Sequence, residues 1–341
     1  MTKPIFGALV LALTLTSVEA AAATTEWKVS LWGKRRAFTE HVHRLADLVA
    51  RNTLGEFRIA IHYGDLSPSR ENLAGIAEGK FEMAQFCAGY HPEKNRAITV
   101  LELPFLGVDT LEEERALSQR VYADPAVAAE MARWNARLLM PTPLPQYNLA
   151  GQGTPPTDLS WFDGKRLRAT GGIGRALSEL GAETENLTAT ETFSALQSGT
   201  LDAVAFAQHA HFSFNTIALA EWWTANLNPG TVNCPVVVNI DAYERLPDAH
   251  RAALDAAIEP ALDYYIENYR DLLGKWNVVL ETFEVPVIRF EPEAVAALRA
   301  RTGLAAVAGW RAETEAAGLP AEDLLALVER SLAEIRADAS R

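Results

Sequence analysis

The chain has 341 residues, 22% charged and 49% hydrophobic, with a formal net charge of −13. That acidic surplus argues against general nucleic-acid binding but leaves room for a small anionic ligand, because local charge decides that. The length exceeds what a single core usually fills and predicts two domains.

Lys3, the apolar run from Ile5 to Thr16 and the small residues of "VEAAAA" read as a signal peptide over 1–23, cut between Ala20 and Ala23. The run is short for a membrane span, and no cysteine follows it as a lipid-anchored precursor would need. The expected product is a soluble periplasmic chain. Two cysteines, Cys87 and Cys234, allow one disulfide in that compartment; two buried thiols beside apolar strands fit as well.

"EWKVSLW" (26–32) predicts a first buried strand. In "AFTEHVHRLADLVARNTLG", Phe38, Val42, Leu45 and Val49 have helical spacing, and the helix stops near Gly55. "FRIAIHY" (57–63) alternates as a strand, "SRENLAGIAEGK" is a short helix, and "FEMAQFCAGY" (81–90) is a third strand. This β-α-β-α-β order predicts a largely parallel sheet covered by helices. "ITVLELPFL" leads into an acidic helix at 111–122 and another near 125–137, and three prolines keep "LLMPTPLPQYNLAG" extended.

The same grammar then repeats. "KRLRAT" is a strand, "GGIGRALSELG" a turn and helix, "ETENL" a short strand, "TATETFSALQSG" a capped helix and "LDAVAF" a strand. "CPVVVNIDAY" (234–243) is one more strand, and a long amphipathic helical region runs from about 247 to 280. "VPVIRF" reads as a last short strand, and 293–337 as a helical tail broken around Gly318–Pro320. Two α/β lobes joined by extended segments suggest a hinge, with the ligand off the carboxyl ends of the strands. The tips to watch are Leu31–Phe38, Gln85–Tyr90, Gln146–Asn148, Arg168–Gly172 and Ala205–His209.

One stretch stands against the acidic background. "WFDGKRLRATGGIG" holds Lys165, Arg166 and Arg168 within four positions, followed by a glycine turn, and such a cluster implies an anion. "FDGKRLRATGG", "TETFSALQSGTLDAVAF" and "CPVVVNIDAYERLP", with "YGDLSPSRENLAGIAEGKFEMAQF" and "LELPFL" earlier, resemble the solute-binding subunits of tripartite ATP-independent periplasmic (TRAP) transporters. The match runs in order through nearly the whole mature chain.

The resemblance implies an α/β, two-lobed periplasmic binding protein fold with a hinge and a long bridging helix. The lobes are expected at 24–138 plus about 236–262, and at 139–235 plus about 263–341. It also implies that Arg168, last in "GKRLR", pairs a ligand carboxylate, with Lys165 and Arg166 as turn and outward-facing residues. Strand periodicity alone puts Arg166 and Arg168 on one face, so their separation rests on the resemblance. Arginine suits the task because its planar fork meets a carboxylate bidentately and stays charged. The glycines after it could leave helix-start N–H groups pointing at the same anion.

The sequence departs from the family where ligand type is set. "LDAVAFAQH" puts Phe206 near a position where many members carry asparagine, followed by Gln208 and His209. "QFCAGY" brings Gln85, Cys87 and Tyr90 to the third tip, "SLWGKRRAF" adds Trp32 and Arg36 at the first, and Tyr147 lies in the extended connection. These ten residues, with Arg168 as anchor, form the expected binding set. Their aromatic character predicts a monocarboxylate with an apolar or aromatic body; an Arg36 that reached the cleft would readmit a dicarboxylate.

Plainer readings compete. Arg168 as a surface arginine, Phe206 as core, Tyr147 as hinge packing and Cys87 as a buried filler all remain open. Packing is favoured over cleft capping for Trp222–Trp223. His41-x-His43 on a helix points its rings apart; His209-x-His211 could align on a strand but lacks a third ligand. No metal or cofactor is therefore expected. "GGIGRAL" lacks the third glycine of a dinucleotide turn, with Leu177 in its place. The expectation is a monomeric, non-enzymatic receptor that hands a small carboxylate to TRAP permease subunits. An exported hydrolase or lyase, and a ligand sensor acting on a receptor, are the alternatives.

Overall fold

The computed structural model describes residues 24–340, so the expected signal peptide lies outside the described residues. The first elements are β1 (Thr25–Leu31), α1 (Glu40–Asn52), β2 (Phe57–Tyr63), α2 (Asn72–Ala77), β3 (Met83–Gln85), α3 (Leu111–Tyr122), α4 (Pro125–Ala132) and β4 (Ala136–Met140). Next come β5 (Asn148–Gly151), β6 (Arg166–Arg168), α5 (Gly171–Ser178), β7 (Glu183–Glu185), α6 (Thr192–Gln197), β8 (Ala203–Phe206), α7 (Gln208–Ser213) and β9 (Trp222–Thr224). The chain continues through β10 (Val236–Asn239), α8 (Ile240–Glu244), α9 (Asp248–Gly274), α10 (Trp276–Thr282), β11 (Val287–Ile288), α11 (Pro292–Ala316) and α12 (Ala321–Ala339).

The strands form two sheets, ordered β2-β1-β3-β10-β4 and β11-β9-β5-β8-β6-β7. Both are mixed rather than largely parallel, for a topological reason. β1, β2 and β3 run parallel and end at the cleft. β10 arrives from the other lobe, starts at the cleft with Val236 opposite Gln85, and runs antiparallel to β3 and β4. β5 does the same in the second sheet, with Asn148 opposite Phe206 at the end of β8. Each of these strands enters its sheet from the hinge, and a hydrophobic pattern carries no information about direction.

Local chemistry explains most boundaries. Val42, Leu45 and Val49 are fully buried on α1, which packs along α9. α3 starts on Thr110, whose hydroxyl accepts from Glu113 N–H at 3.1 Å; α4 starts on Asp124 with Pro125 in its first turn. The third strand is shorter than predicted, covering only 83–85, because Ala88–Tyr90 turns as a 3₁₀ helix. The helix expected to reach 137 ends at Ala132, and β4 takes over. β9 had no counterpart in the sequence reading.

α9 bridges the lobes. Leu254, Ala257, Ala261 and Leu262 pack in the first lobe with β1 and α1, whereas Tyr265, Ile266 and Tyr269 enter the cluster that holds Leu149 and Phe206. The tail, expected with the second lobe, serves both. Trp310, Leu324 and Val328 lie in the first-lobe core with Leu117 and Val121. Glu313 on α11 meets Arg96 of the first lobe at 2.5 Å and Arg175 of the second at 2.9 and 3.0 Å. Cys87 and Cys234 are joined in a disulfide, so the thiol alternative falls.

Candidate ligand-binding site

β6 supplies the central cation. Arg166, at its outer end, is exposed and pairs with Asp202 at 2.9 Å. Arg168, at the cleft end, is 3% exposed. Position along the strand therefore separates the two arginines, which periodicity alone could not. Arg168 Nε donates to the Leu187 carbonyl and Nη1 to the Ala205 carbonyl, both at 3.0 Å. The guanidinium lies 4.4 Å over the Phe206 ring. Burial lowers its pKa, while Tyr90 and Tyr147 pull the other way. Among the described residues no carboxylate forms an ion pair with it.

Arg36 is a second buried cation in the same cavity. Its Nη1 donates to the Trp32 and Lys34 carbonyls at 2.6 and 2.8 Å. Three rings surround the guanidinium carbon, Phe38 at 4.8 Å, Phe214 at 5.2 Å and Trp32 at 5.7 Å. Burial brings its pKa down to about 10, and its Nε has no partner. Backbone carbonyls and ring faces hold this charge, and no acid among the described residues pairs with it.

Aromatic side chains close the walls. Tyr147 meets Phe206 edge-on at 6.5 Å, and Phe38 stacks on His209 at 5.3 Å. The Tyr90 hydroxyl accepts from Ala189 N–H at 3.2 Å, joining the two lobes. His209 Nδ1 is hydrogen-bonded to the Tyr269 hydroxyl. Burial first, then Arg36, holds the His209 pKa well below its ordinary value, so the ring is neutral. With Nδ1 engaged, Nε2 is the nitrogen available to a ligand.

These side chains surround a narrow cavity that stays partly open to solvent. Of the expected set, Arg168, Tyr147, Phe206, Trp32, Cys87, Tyr90, His209 and Arg36 line it. Gln85 and Gln208 do not. Gln85 is wholly buried within the first sheet, where Nε2 donates to Thr142 at 2.8 Å; Thr142 in turn donates to the Cys234 carbonyl at 2.7 Å. Gln208 is half-buried at the start of α7, outside the lining. His209 and His211 sit on that helix, not on a strand, and no metal-binding cluster occurs among the described residues. Trp222 packs edge-on against Trp161 at 5.3 Å, and Trp223 against Trp276 at 5.6 Å, so the pair serves the second-lobe core.

Phe38, at the end of a watched tip but outside the expected set, also lines the cavity, and sequence reasoning missed Phe214 and, above all, Glu102. Glu102 lines the cavity at 1% exposure, and a lone acid inside the apolar run "ITVLELPFL" was the available signal. Its Oε1 accepts from Asn233 N–H at 2.9 Å and Gly89 N–H at 3.1 Å. The glycines after Arg168 also have a different role from the one expected. Gly171, at φ +56°, and Gly172 let the first lobe approach: a Cβ at Gly171 would clash with Glu102 Oε2, and one at Gly172 with the Glu102 carbonyl.

Two α/β lobes that exchange strands through a hinge and close on unneutralised guanidiniums define a ligand-capturing receptor. Residues 29–304 match the family described as bacterial extracellular solute-binding protein, family 7, and the chain belongs to it. That family is one of extracellular solute-binding proteins, and the solved structures that share the fold include TRAP periplasmic solute-binding proteins. A marine metagenome TRAP solute-binding protein specific for aromatic acid ligands, in complex with metahydroxyphenylacetate, superposes with a TM-score of 0.82 at 17% identity, over 91% of this chain and 99% of that one. One from Roseobacter denitrificans with bound β-D-glucuronate gives 0.75 at 19%, over 90% and 99%. A monocarboxylate 2-oxoacid-binding periplasmic protein of Nostoc is 23% identical over 282 residues, 76% of this chain and 72% of its own length.

Proposed function

We propose that this protein captures a monocarboxylate with an apolar or aromatic body and presents it, as a monomer and without chemical turnover, to TRAP permease subunits. The observation that carries this reading is Arg168: buried, oriented by two carbonyls, stacked on Phe206 and, among the described residues, in no ion pair with an acid. A ligand carboxylate would complete its fork. Tyr147, Phe206 and Phe38 suit a flat or apolar body, with stacking worth about 0.5–1.5 kcal/mol per pair beyond burial. The aromatic-acid specificity of the marine neighbour and the monocarboxylate class of the Nostoc relative point the same way.

Arg36 favours a second reading. Its Nε and the Trp32 Nε1 are donors without partners on the first-lobe wall. They fit a further acceptor on the ligand: a hydroxyl or oxo oxygen in the leading reading, a second carboxylate in the alternative. Calorimetric titration with 3-hydroxybenzoate, benzoylformate, succinate and glucuronate separates them. Tight binding of an aromatic acid with weak or absent succinate binding is expected. Preference for succinate or glucuronate, with silence from both aromatic acids, overturns the leading reading.

A further inference from the structure

Glu102 has two unlike oxygens. Oε1 is held by two first-lobe N–H groups, from Gly89 and Asn233. Oε2 is buried without a hydrogen-bond partner. It lies against Gly171 at the amino end of α5, in the other lobe, where a Cβ would occupy its space. The carboxyl group therefore sits at once in the wall of the ligand cavity and in the seam between the lobes. We propose that Glu102 is a proton-linked latch: anion capture with lobe closure takes up one proton on Oε2, and opening releases it. The proposal rests on the anionic-ligand reading above.

Differential solvation couples the proton to closure. With the lobes apart, Gly171 and Gly172 withdraw and water reaches Oε2, so the ionised form is solvated on both oxygens. With the lobes together, charge on Oε2 would face no donor, and an unpaired buried charge is costly. The neutral acid fits the seam. Burial holds the Glu102 pKa up at about 7 in the closed form, against the two N–H bonds and Arg168.

The groups around it act as follows. Arg168 on β6 opposes protonation, and a bound carboxylate neutralises that opposition. Glu114 on α3 is itself raised to about 8, chiefly by burial with Glu102 adding to it, so it stays neutral while Glu102 titrates and leaves the step to Glu102. Tyr122 on the same helix and Tyr147 in the hinge connection also face Glu102, and burial keeps both phenols neutral. The amino end of α5 favours the anion, yet none of its N–H groups reaches Oε2. A chain of contacts joins the two acids: Asn233 Nδ2 donates to Ser118 Oγ at 3.4 Å, and Ser118 Oγ to Glu114 at 3.3 Å.

The sign follows. If the solvated open form titrates at the ordinary carboxyl value of 4.5, closure raises the Glu102 pKa to about 7. Below 4.5 both forms carry the proton; between these values only the closed form does, so affinity falls as pH rises, approaching tenfold per pH unit.

The test is calorimetry with 3-hydroxybenzoate at pH 6.0 in two buffers of different ionisation enthalpy, on the full mature chain. Wild type should take up close to one proton per ligand, E102Q should bind with none, and E114Q should behave as wild type. Equal uptake by wild type and E102Q, or loss of uptake in E114Q alone, overturns the proposal. Absence of 3-hydroxybenzoate binding by wild type refutes that ligand choice instead. A ligand-free arm then decides the latch by small-angle scattering: wild type should become more compact from pH 8 to pH 5, and E102Q should not respond. Identical responses of the two proteins refute it.

Discussion

Replacing Gly172 with alanine separates lobe closure from folding. Gly172 lies in the first turn of α5, and its φ is not in the left-handed region, so the backbone accepts alanine. Within the second lobe the change is favourable, because alanine exceeds glycine in helix propensity by up to about 1 kcal/mol. Across the seam it is not. The new Cβ would overlap the Glu102 carbonyl oxygen and lie 2.9 Å from Pro104 Cδ. Both neighbours belong to backbone or a proline ring, so no flexible side chain can swing away. Overpacking of this kind typically costs about 1–3 kcal/mol, and the open form escapes it entirely. Affinity for the tightest-binding acid of the panel should drop by about fivefold to 150-fold. The ligand-free melting temperature should stay level or rise. Titration calorimetry, thermal unfolding and small-angle scattering with saturating ligand read the three quantities. Wild-type affinity with wild-type compaction would show that Gly172 does not meet Glu102 in the closed state.

Arg168→Ala should weaken carboxylate binding by about 2–5 kcal/mol, and Arg168→Lys should not restore it, because a point charge lacks the fork; titration giving either variant wild-type affinity contradicts the anchor role. Reducing Cys87–Cys234, or replacing both with serine, opens a link across 147 residues and should lower stability by about 5 kcal/mol on the loop-entropy account; denaturant midpoints unchanged by reduction would refute this. Burial holds the His41 and His211 pKa values at about 3, so the unfolded chain binds their protons first. Their contribution is therefore intact above pH 6.5 and lost on acidification, by about 1.4 kcal/mol per pH unit each; His211→Gln should flatten the dependence of the urea midpoint between pH 4.5 and 6.5, and an unaltered slope counts against it.

Much of this protein is written locally. The helical spacing of Val42, Leu45 and Val49, the alternation in 57–63 and the repeated β-α-β-α-β order needed no tertiary information to read. The three cations of "KRLR" stood out for the same reason, since charge against an acidic background is a property of the chain, but only Arg168 of the three lines the cavity, and Arg166 pairs with Asp202 instead. Strand direction was not legible, because β5 and β10 take theirs from crossing the hinge. Nor was the fate of the site candidates. Arg166 and Arg168 share a face and differ only in which end of β6 meets the cleft. Gln85 looked like a tip residue until β3 ended at it and the next residues turned away. Glu102 and Gly172 stand 70 positions apart on different lobes, and their contact exists only when the lobes close. Composition and periodicity speak for one residue and its near neighbours along the chain, whereas a cleft is made by residues whose only common property is where the fold delivers them.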